Sequence, residues 1–480
     1  MTIMKTKNIF SYILALGLVF TIGSCSEDTL DEIDTNPNNP TDVPINLLLP
    51  QVETDVAFAV AGTDVAWYSS VFVQHTAGVH AQLQNADLRV GNDVATLVNN
   101  TWITIYAGTL PDLNLIIQKG STGGEQEGFW IHVGIAKVLK AFTIAVATDT
   151  WGRVPYSEAG QGKELRQPTY DEQQQIYNNI QTLLDEAIAD FQRGGPNPGN
   201  RDLIYNGNVD NWIKAAWSLK ARYYNRLSNI DPVQSAQNAL AAAANGFTGP
   251  GESLIFDAFQ SNATGEHPWF QESNDRSHHA VSQEFVQRLE GLDDPRLPLM
   301  VAPAPATGEI TGAPNGTQIN DQANRLFSDP TTLVLNATAP MPLMTYDELK
   351  FIEAEAHLRL GQQEEAYDAF RTAVAAAMRR QANVSEGAIE AYFAQADVPS
   401  SGAELDLQDI IEQKWIAFWL FQPIEAFADY RRTDFPQLDH QIGPAPRRFP
   451  YPLNELDANA ANVPNVQISN GVWWDDGTED

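Results

Sequence analysis

From Tyr170 to Arg193 the apolar residues Ile176, Ile180, Leu183, Leu184, Ala187, Ile188 and Phe191 recur every three or four positions, and Gly194-Gly195-Pro196 closes the run. Only a helix gathers such residues into one stripe, which must then be buried against something else. The pattern returns in Trp212, Ala216, Leu219 and Tyr223, on a helix that Asp210 is placed to cap. Glu127 to Thr148 is apolar nearly all round and is therefore expected to lie among other helices. The strict alternation of a half-buried strand is almost missing, so the fold class is mainly α.

Later in the chain, Thr345 and Glu348 form a T-x-x-E capping pattern ahead of Leu349, Ile352 and Ala356, and Gly361 ends that helix. A second helix starts at once, with Ala366, Phe370 and Ala373 along one side. Two helices joined so tightly pack antiparallel. Gly361, Ala366, Phe370 and Ala373 resemble the second half of a tetratricopeptide repeat, and Ala187 with Phe191 is a weaker echo. Stacked helix pairs are thus the expected scaffold. Two long stretches, Asn245–Ser282 and Asp293–Pro342, are rich in Gly, Pro, Asn and Thr and read as a loop-rich insertion over about 246–342. The Pro-rich tail after Phe435 is expected to wrap the surface without a core of its own, with Trp473-Trp474 as a tail patch or a partner contact.

The first residues carry Lys5 and Lys7 and no acid, then an apolar run from Ile9 to Ile22, the pattern of a secretory signal. Ile22-Gly23-Ser24-Cys25 resembles a bacterial lipobox, in which the thiol is acylated and becomes the first mature residue. The alternative is an ordinary signal peptide with an incidental cysteine. Cys25 is the only cysteine, so no internal disulfide is possible. Asp28, Asp31, Glu32 and Asp34 follow in a stretch with little to bury, a polar tether or a signal for surface export. The expected organisation is a signal peptide at 1–24, an acidic lipid-anchored tether at 25–44 and a single domain at 45–480.

A formal charge of −32 argues against nucleic acid or anionic lipid as an electrostatic partner and favours a neutral ligand, or simply solubility in a salty medium. No P-loop, dinucleotide-binding glycine turn or G-x-S-x-G elbow occurs, and no cofactor is expected. His278-His279 invites a metal, but there is neither H-E-x-x-H nor a cysteine ligand near it, so no metal site is expected.

Ordered motifs span the mature chain. They are Asp34-Thr35-Asn36-Pro37-Asn38, then Asp149-Thr150-Trp151-Gly152-Arg153-Val154-Pro155-Tyr156-Ser157-Glu158-Ala159, then Asp293-Asp294-Pro295-Arg296-Leu297. Near the end come Lys414-Trp415, Asp429-Tyr430-Arg431-Arg432-Thr433-Asp434-Phe435-Pro436 and Arg447-Arg448-Phe449-Pro450-Tyr451-Pro452. Together they resemble the SusD/RagB family, most closely its SusD-like branch. The resemblance implies a SusD-like helical fold and a surface lipoprotein, held to the outer membrane by lipid on Cys25. It further implies capture of oligo- or polysaccharide and delivery to a SusC-like TonB-dependent transporter, without catalysis. Most motif residues read as structural: Gly152 and Pro155 in a fixed turn, Asp294 with Arg296 and Arg431-Arg432 as bidentate ion pairs.

A neutral glycan offers flat C–H faces and many hydroxyls, so its site calls for aromatic platforms beside amides and carboxylates. One cluster stands outside the helical stripes: His267-Pro268-Trp269-Phe270-Gln271-Glu272-Ser273-Asn274-Asp275. There Trp269 and Phe270 are candidate platforms, and His267, Asn274 and Asp275 candidate hydroxyl partners; the alternative is a loop plug. The second candidate region, Asp64 to His80, holds Asp64, Trp67 and Tyr68, with Asp64 and Trp67 one helical turn apart. Family ligand contacts come partly from this early region and partly from the insertion, which pairs Trp67 with Trp269. Trp102, Trp130, Trp212, Trp415 and Trp419 fall in apolar helices and are expected in the core. The ligand is read as a β-glucan on the strength of the family branch and the few cations in the loops. Competing readings are a surface glycoside hydrolase, given the abundance of acids, and a peptide- or protein-binding helical scaffold.

Overall fold

The computed structural model describes residues 43–160 and 165–478, and Ile45–Asp480 forms one compact unit. The signal sequence, Cys25, the acidic tether and the Asp34–Asn38 motif lie outside the described residues.

In chain order, α1 (Asp64–Phe72) leads into β1 (Thr76–Gly78), followed by α2 (Trp130–Trp151), α3 (Gln173–Arg193), α4 (Val209–Asn225) and α5 (Pro232–Ala243). The insertion contains β2 (Leu254–Phe256), α6 (Pro268–Asp275), β3 (His279–Val281), α7 (Gln283–Gly291) and β4 (Met341–Met344). The chain then returns to long helices: α8 (Tyr346–Arg359), α9 (Gln363–Ala382), α10 (Leu407–Phe418) and α11 (Pro423–Thr433).

The helices stack in series. Along the stack α2 lies on α3, α3 on α4, α4 on α5, α5 on α8 and α8 on α9, while α10 and α11 carry the packing back to α1. Each junction follows from its apolar stripe. Ile176, Ile180 and Leu184 of α3 are fully buried, and so are Ala366 and Ala373 of α9, with Phe370 between them. Gly361 makes the α8–α9 turn at φ +74°, a conformation glycine adopts without cost. α2 is long and apolar enough to cross a membrane, yet it is almost wholly buried within the fold, as an apolar-all-round helix should be.

Several local expectations are corrected. Asn208, not Asp210, caps α4: its side chain accepts from Asn211 N–H at 3.2 Å, and Asp210 sits in the first turn. Thr345 accepts from Glu348 N–H at 3.2 Å, but the reciprocal half of the box is missing because the Glu348 carboxylate turns inward to Arg222 at 2.6 Å. The insertion is not wholly irregular. β1 pairs antiparallel with β3 (Ala77 opposite Ala280) and β2 with β4, in strands of three or four residues, too short to show alternation. The tail is no surface patch either. Trp474 is fully buried and its indole N–H donates to Asp149 Oδ1 at 2.8 Å. Trp102, Trp212, Trp415 and Trp419 are in the core, whereas Trp130 is half-buried under the Arg193 guanidinium, 3.1 Å from the ring centre.

At the centre, buried charges tie five helices together. Arg222 of α4 and Arg226 just past its end face Glu348 of α8, Glu425 of α11 and Asp149 of α2. Arg432 reaches Glu355 and Asp429, and Lys414 of α10 reaches Asp429 at 2.8 Å. Burial raises the cost of the Glu355 carboxylate, but Arg432, Arg359 and their hydrogen bonds more than offset it and hold its pKa far below the usual carboxylate range. Removing one partner strands the others. Glu355→Ala is therefore expected to cost about 3–5 kcal/mol in urea unfolding, and an exposed control such as Glu364→Ala should lie within about 0.5 kcal/mol of the parent.

Candidate ligand-binding site

The β1–β3 pairing brings the two regions singled out in the sequence side by side. Just ahead of α1, Gly62 packs on the start of α6 so closely that a Cβ would stand 2.5 Å from Pro268 Cγ. The regions meet, but their largest rings do not face solvent. Trp269 is fully buried, edge-on to His279 with ring centres 5.3 Å apart, and Trp67 and Tyr68 are 8% and 4% exposed. Asp64 is buried too, its pKa raised by desolvation and moderated by hydrogen bonds from Asn100. The expected outward pair of Asp64 and Trp67 is thus corrected, since every residue of α1 is buried. Among the described residues every Phe, Tyr and Trp ring is buried or half-buried.

The reason is the register of α6, a helix where a loop was expected. Its eight residues start at Pro268, which suits the first helical position, after His267 as N-cap. Trp269 and Glu272 point inward; Phe270, Ser273, Asn274 and, beyond the helix end, Ser277 share the outer side. Those four line a cleft of about 260 Å³ with Arg325, Asp329, Pro330 and Leu335 of the insertion. The half-buried Phe270 ring is its one aromatic wall, Pro330 and Leu335 add apolar surface, and Arg325 pairs with Asp329. Asp275 is exposed beside it, and its carboxylate accepts from Asn274 Nδ2 at 3.0 Å. The signal that would have separated Phe270 from Trp269 is the 3.6-residue period, but eight residues broken by a leading proline carry too little of it.

Beneath the cleft, Glu272 pairs with His279 Nδ1, and His279 Nε2 lies 3.3 Å from Ser273 Oγ. Burial opposes charge on His279, yet the Glu272 carboxylate outweighs it and raises the imidazole pKa. When His279 is protonated it donates from both nitrogens, and Ser273 Oγ then accepts with its own O–H free to turn to the cleft. The His278 and His80 rings lie tilted against each other, centres 5.4 Å apart, and among the described residues no cluster of three or more metal-ligating side chains occurs.

His267 is a structural residue rather than a surface hydroxyl partner. It is fully buried between Phe259 and Phe421, and its Nδ1 accepts from Trp269 N–H at 3.2 Å. Two further clefts open on the surface: Arg89, Asp93, Tyr451 and the 464–469 tail surround one of about 630 Å³, and a smaller polar one lies beside Gln74.

A family model described as "Starch-binding associating with outer membrane" matches residues 37–452. The chain belongs to the SusD-like family. A SusD/RagB family protein from Bacteroides thetaiotaomicron superposes with a TM-score of 0.81 at 28% identity, covering 91% of this chain and all of its own. A chitin-binding protein follows at 0.72 and 25%, covering 90% of this chain and 99% of its own. A chitin-binding SusD homolog from Flavobacterium johnsoniae shares the fold at 0.76 and 20%, over 90% and 98% of the two chains. No curated protein matches. SusD-like motif residues sit where structure demands them. Gly152 ends α2 at φ +84°, where a Cβ would meet Arg448 Nη2 at 2.6 Å; Asp294 and Arg296 form a buried bidentate pair; Arg431 donates to the carbonyls of Asp149 and Arg447.

Burial lowers the His267 pKa to about 3, as it does for His75. Both are depressed below the unfolded value of about 6.5, so the stability they confer is present above pH 6.5 and is lost as pH falls towards 3. Each adds about 1.4 kcal/mol per pH unit to that loss. A His267→Asn protein keeps a capping acceptor that does not titrate. Its melting temperature is expected to fall less steeply than the parent's between pH 6.5 and 4.5; parallel curves would show that His267 takes up no proton on unfolding.

Proposed function

We propose that this SusD-like protein is a surface lipoprotein, anchored through Cys25, that captures a neutral β-linked glycan and passes it to a SusC-like TonB-dependent transporter. The observation that carries the reading is the outer face of α6. There the half-buried Phe270 ring is set among Ser273, Asn274 and Ser277 in an open cleft on the insertion. The ring offers a C–H stacking surface, the two hydroxyls and the amide offer donors and acceptors, and Pro330 with Leu335 gives an apolar edge. Two of the similar structures are described as chitin-binding. Chitin and β-glucan share a β-linked backbone and differ in the acetamido group, so both belong to the class considered. The −32 charge turns polyanionic polymers away.

The binder reading is preferred to hydrolysis because the cleft supplies one carboxylate, Asp329, already paired with Arg325. Glycoside cleavage in its usual form takes two carboxylates flanking the bond.

Affinity electrophoresis of the mature protein through gels containing glycol chitin, mixed-linkage β-glucan or starch tests this. Retardation by a β-linked polymer is expected, without release of sugars. Phe270→Ala combined with Asn274→Ala should weaken it at least about tenfold, roughly 1.4 kcal/mol, at an unchanged melting temperature. Trp269→Ala should instead lower the melting temperature by opening a cavity. Undiminished retardation of the Phe270→Ala/Asn274→Ala protein would remove this cleft as the site.

A further inference from the structure

A second cleft, of about 170 Å³, is built from four separate stretches of chain and has a different chemistry. Gln74 is at its base, Gln283 and Gln287 project from successive turns of α7, Asn315 comes from the insertion and Gln441 from the tail. Five carboxamides thus face one small space, joined by the Thr317 hydroxyl and the carboxylates of Glu284 and Asp439. Neither an aromatic ring nor a cation lines it.

The cleft is held open by its own framework. Gln74 has φ +56°, a conformation disfavoured for a residue with a Cβ, and such strain persists only where the surroundings impose it. Its surroundings do: the side chain is buried, Nε2 donates to the Asp439 backbone carbonyl at 2.9 Å, and the Gln74 backbone carbonyl accepts from Ser282 Oγ at the head of α7. Asn315 is fixed likewise, donating to Thr76 O and Asp87 Oδ1 at 3.0 Å each, while its Oδ1 has no partner. Gln283 and Gln287 are exposed, and among the described residues their carboxamides make no intramolecular hydrogen bond. Framework amides are therefore spent on position, and the amides of α7 are free for a ligand.

A carboxamide donates and accepts at neighbouring atoms, which matches adjacent hydroxyls of a sugar ring. Glu284, whose carboxylate takes the Arg288 Nε–H at 2.5 Å, and Asp439 add acceptors and turn anions away. We infer that this cleft is a second saccharide site, independent of the α6 cleft, that takes a single uncharged sugar unit through hydroxyl hydrogen bonds rather than stacking. The inference extends the glycan-binding reading, and two attachment points on one polymer raise its retention without tightening either contact.

Titration calorimetry with chitotriose and with cellotriose separates the two sites by stoichiometry. For at least one trisaccharide, two sites per chain are expected in the parent and one in Gln283→Ala/Gln287→Ala, whose exposed substitutions leave the core untouched. One site is also expected in Phe270→Ala/Asn274→Ala, and none when all four are combined. A single parental site that disappears with Phe270→Ala/Asn274→Ala overturns the second site and leaves the first. A single site that disappears with Gln283→Ala/Gln287→Ala overturns the α6 reading instead. No binding of either trisaccharide overturns both.

Discussion

Everything else in this molecule hangs on a buried, nearly balanced set of charges. Asp149, Glu348, Glu355, Glu425 and Asp429 are met by Arg222, Arg226, Lys414 and Arg432, and Arg431 lies alongside, hydrogen-bonded to carbonyls and stacked 4.7 Å from the Trp474 ring. Ions taken out of water are expensive, and the cost is recovered only when each one meets its partners in the right geometry. That condition couples helices from both ends of the chain. The Arg431 guanidinium shows the tension, its pKa pushed down to about 9 by burial despite the nearby carboxylates. Such a network selects one arrangement of the helical stack and penalises slippage between its layers.

The stack anchors the insertion at both ends. β1 and β3 staple the mid-chain segment to the early region, and β2 with β4 returns the chain to α8. Between these staples α6 keeps Trp269 and His267 inside and presents Phe270, Ser273 and Asn274 outside. The Glu272–His279 pair then orients Ser273 from below. The surface chemistry is thus set by which residues happen to fall on the solvent side of short, well-anchored pieces.

This division explains what could be read from the sequence. The long helices are legible because stripes such as Ile176 to Phe191 repeat over about four turns, and the Gly361 to Ala373 spacing marks a tight pair. Asp294 with Arg296 and Arg431-Arg432 were legible as structural, since charged residues beside prolines and aromatics in ordered motifs need partners. The site was legible only as a region. Trp269 stands outside the long stripes and Trp67 one turn from Asp64, which suggests platforms, but α6 buries one in eight residues and α1 buries the other on all sides. Trp474 was misjudged for a related reason: its partner, Asp149, lies more than three hundred positions away. The Gln74 cleft draws on four stretches of chain that no local pattern connects.

On the proposed reading a charge-locked helical scaffold carries its ligand contacts on the insertion and on the segments packed against it. Hydrogen–deuterium exchange of the mature protein, with and without a saturating β-linked oligosaccharide, tests it most directly. Slowed exchange is expected in the cleft-lining segments, residues 268–291, 314–335 and 439–441, with α2, α3, α8 and α9 unchanged. Protection centred on the scaffold helices, with the insertion unaffected, would contradict it.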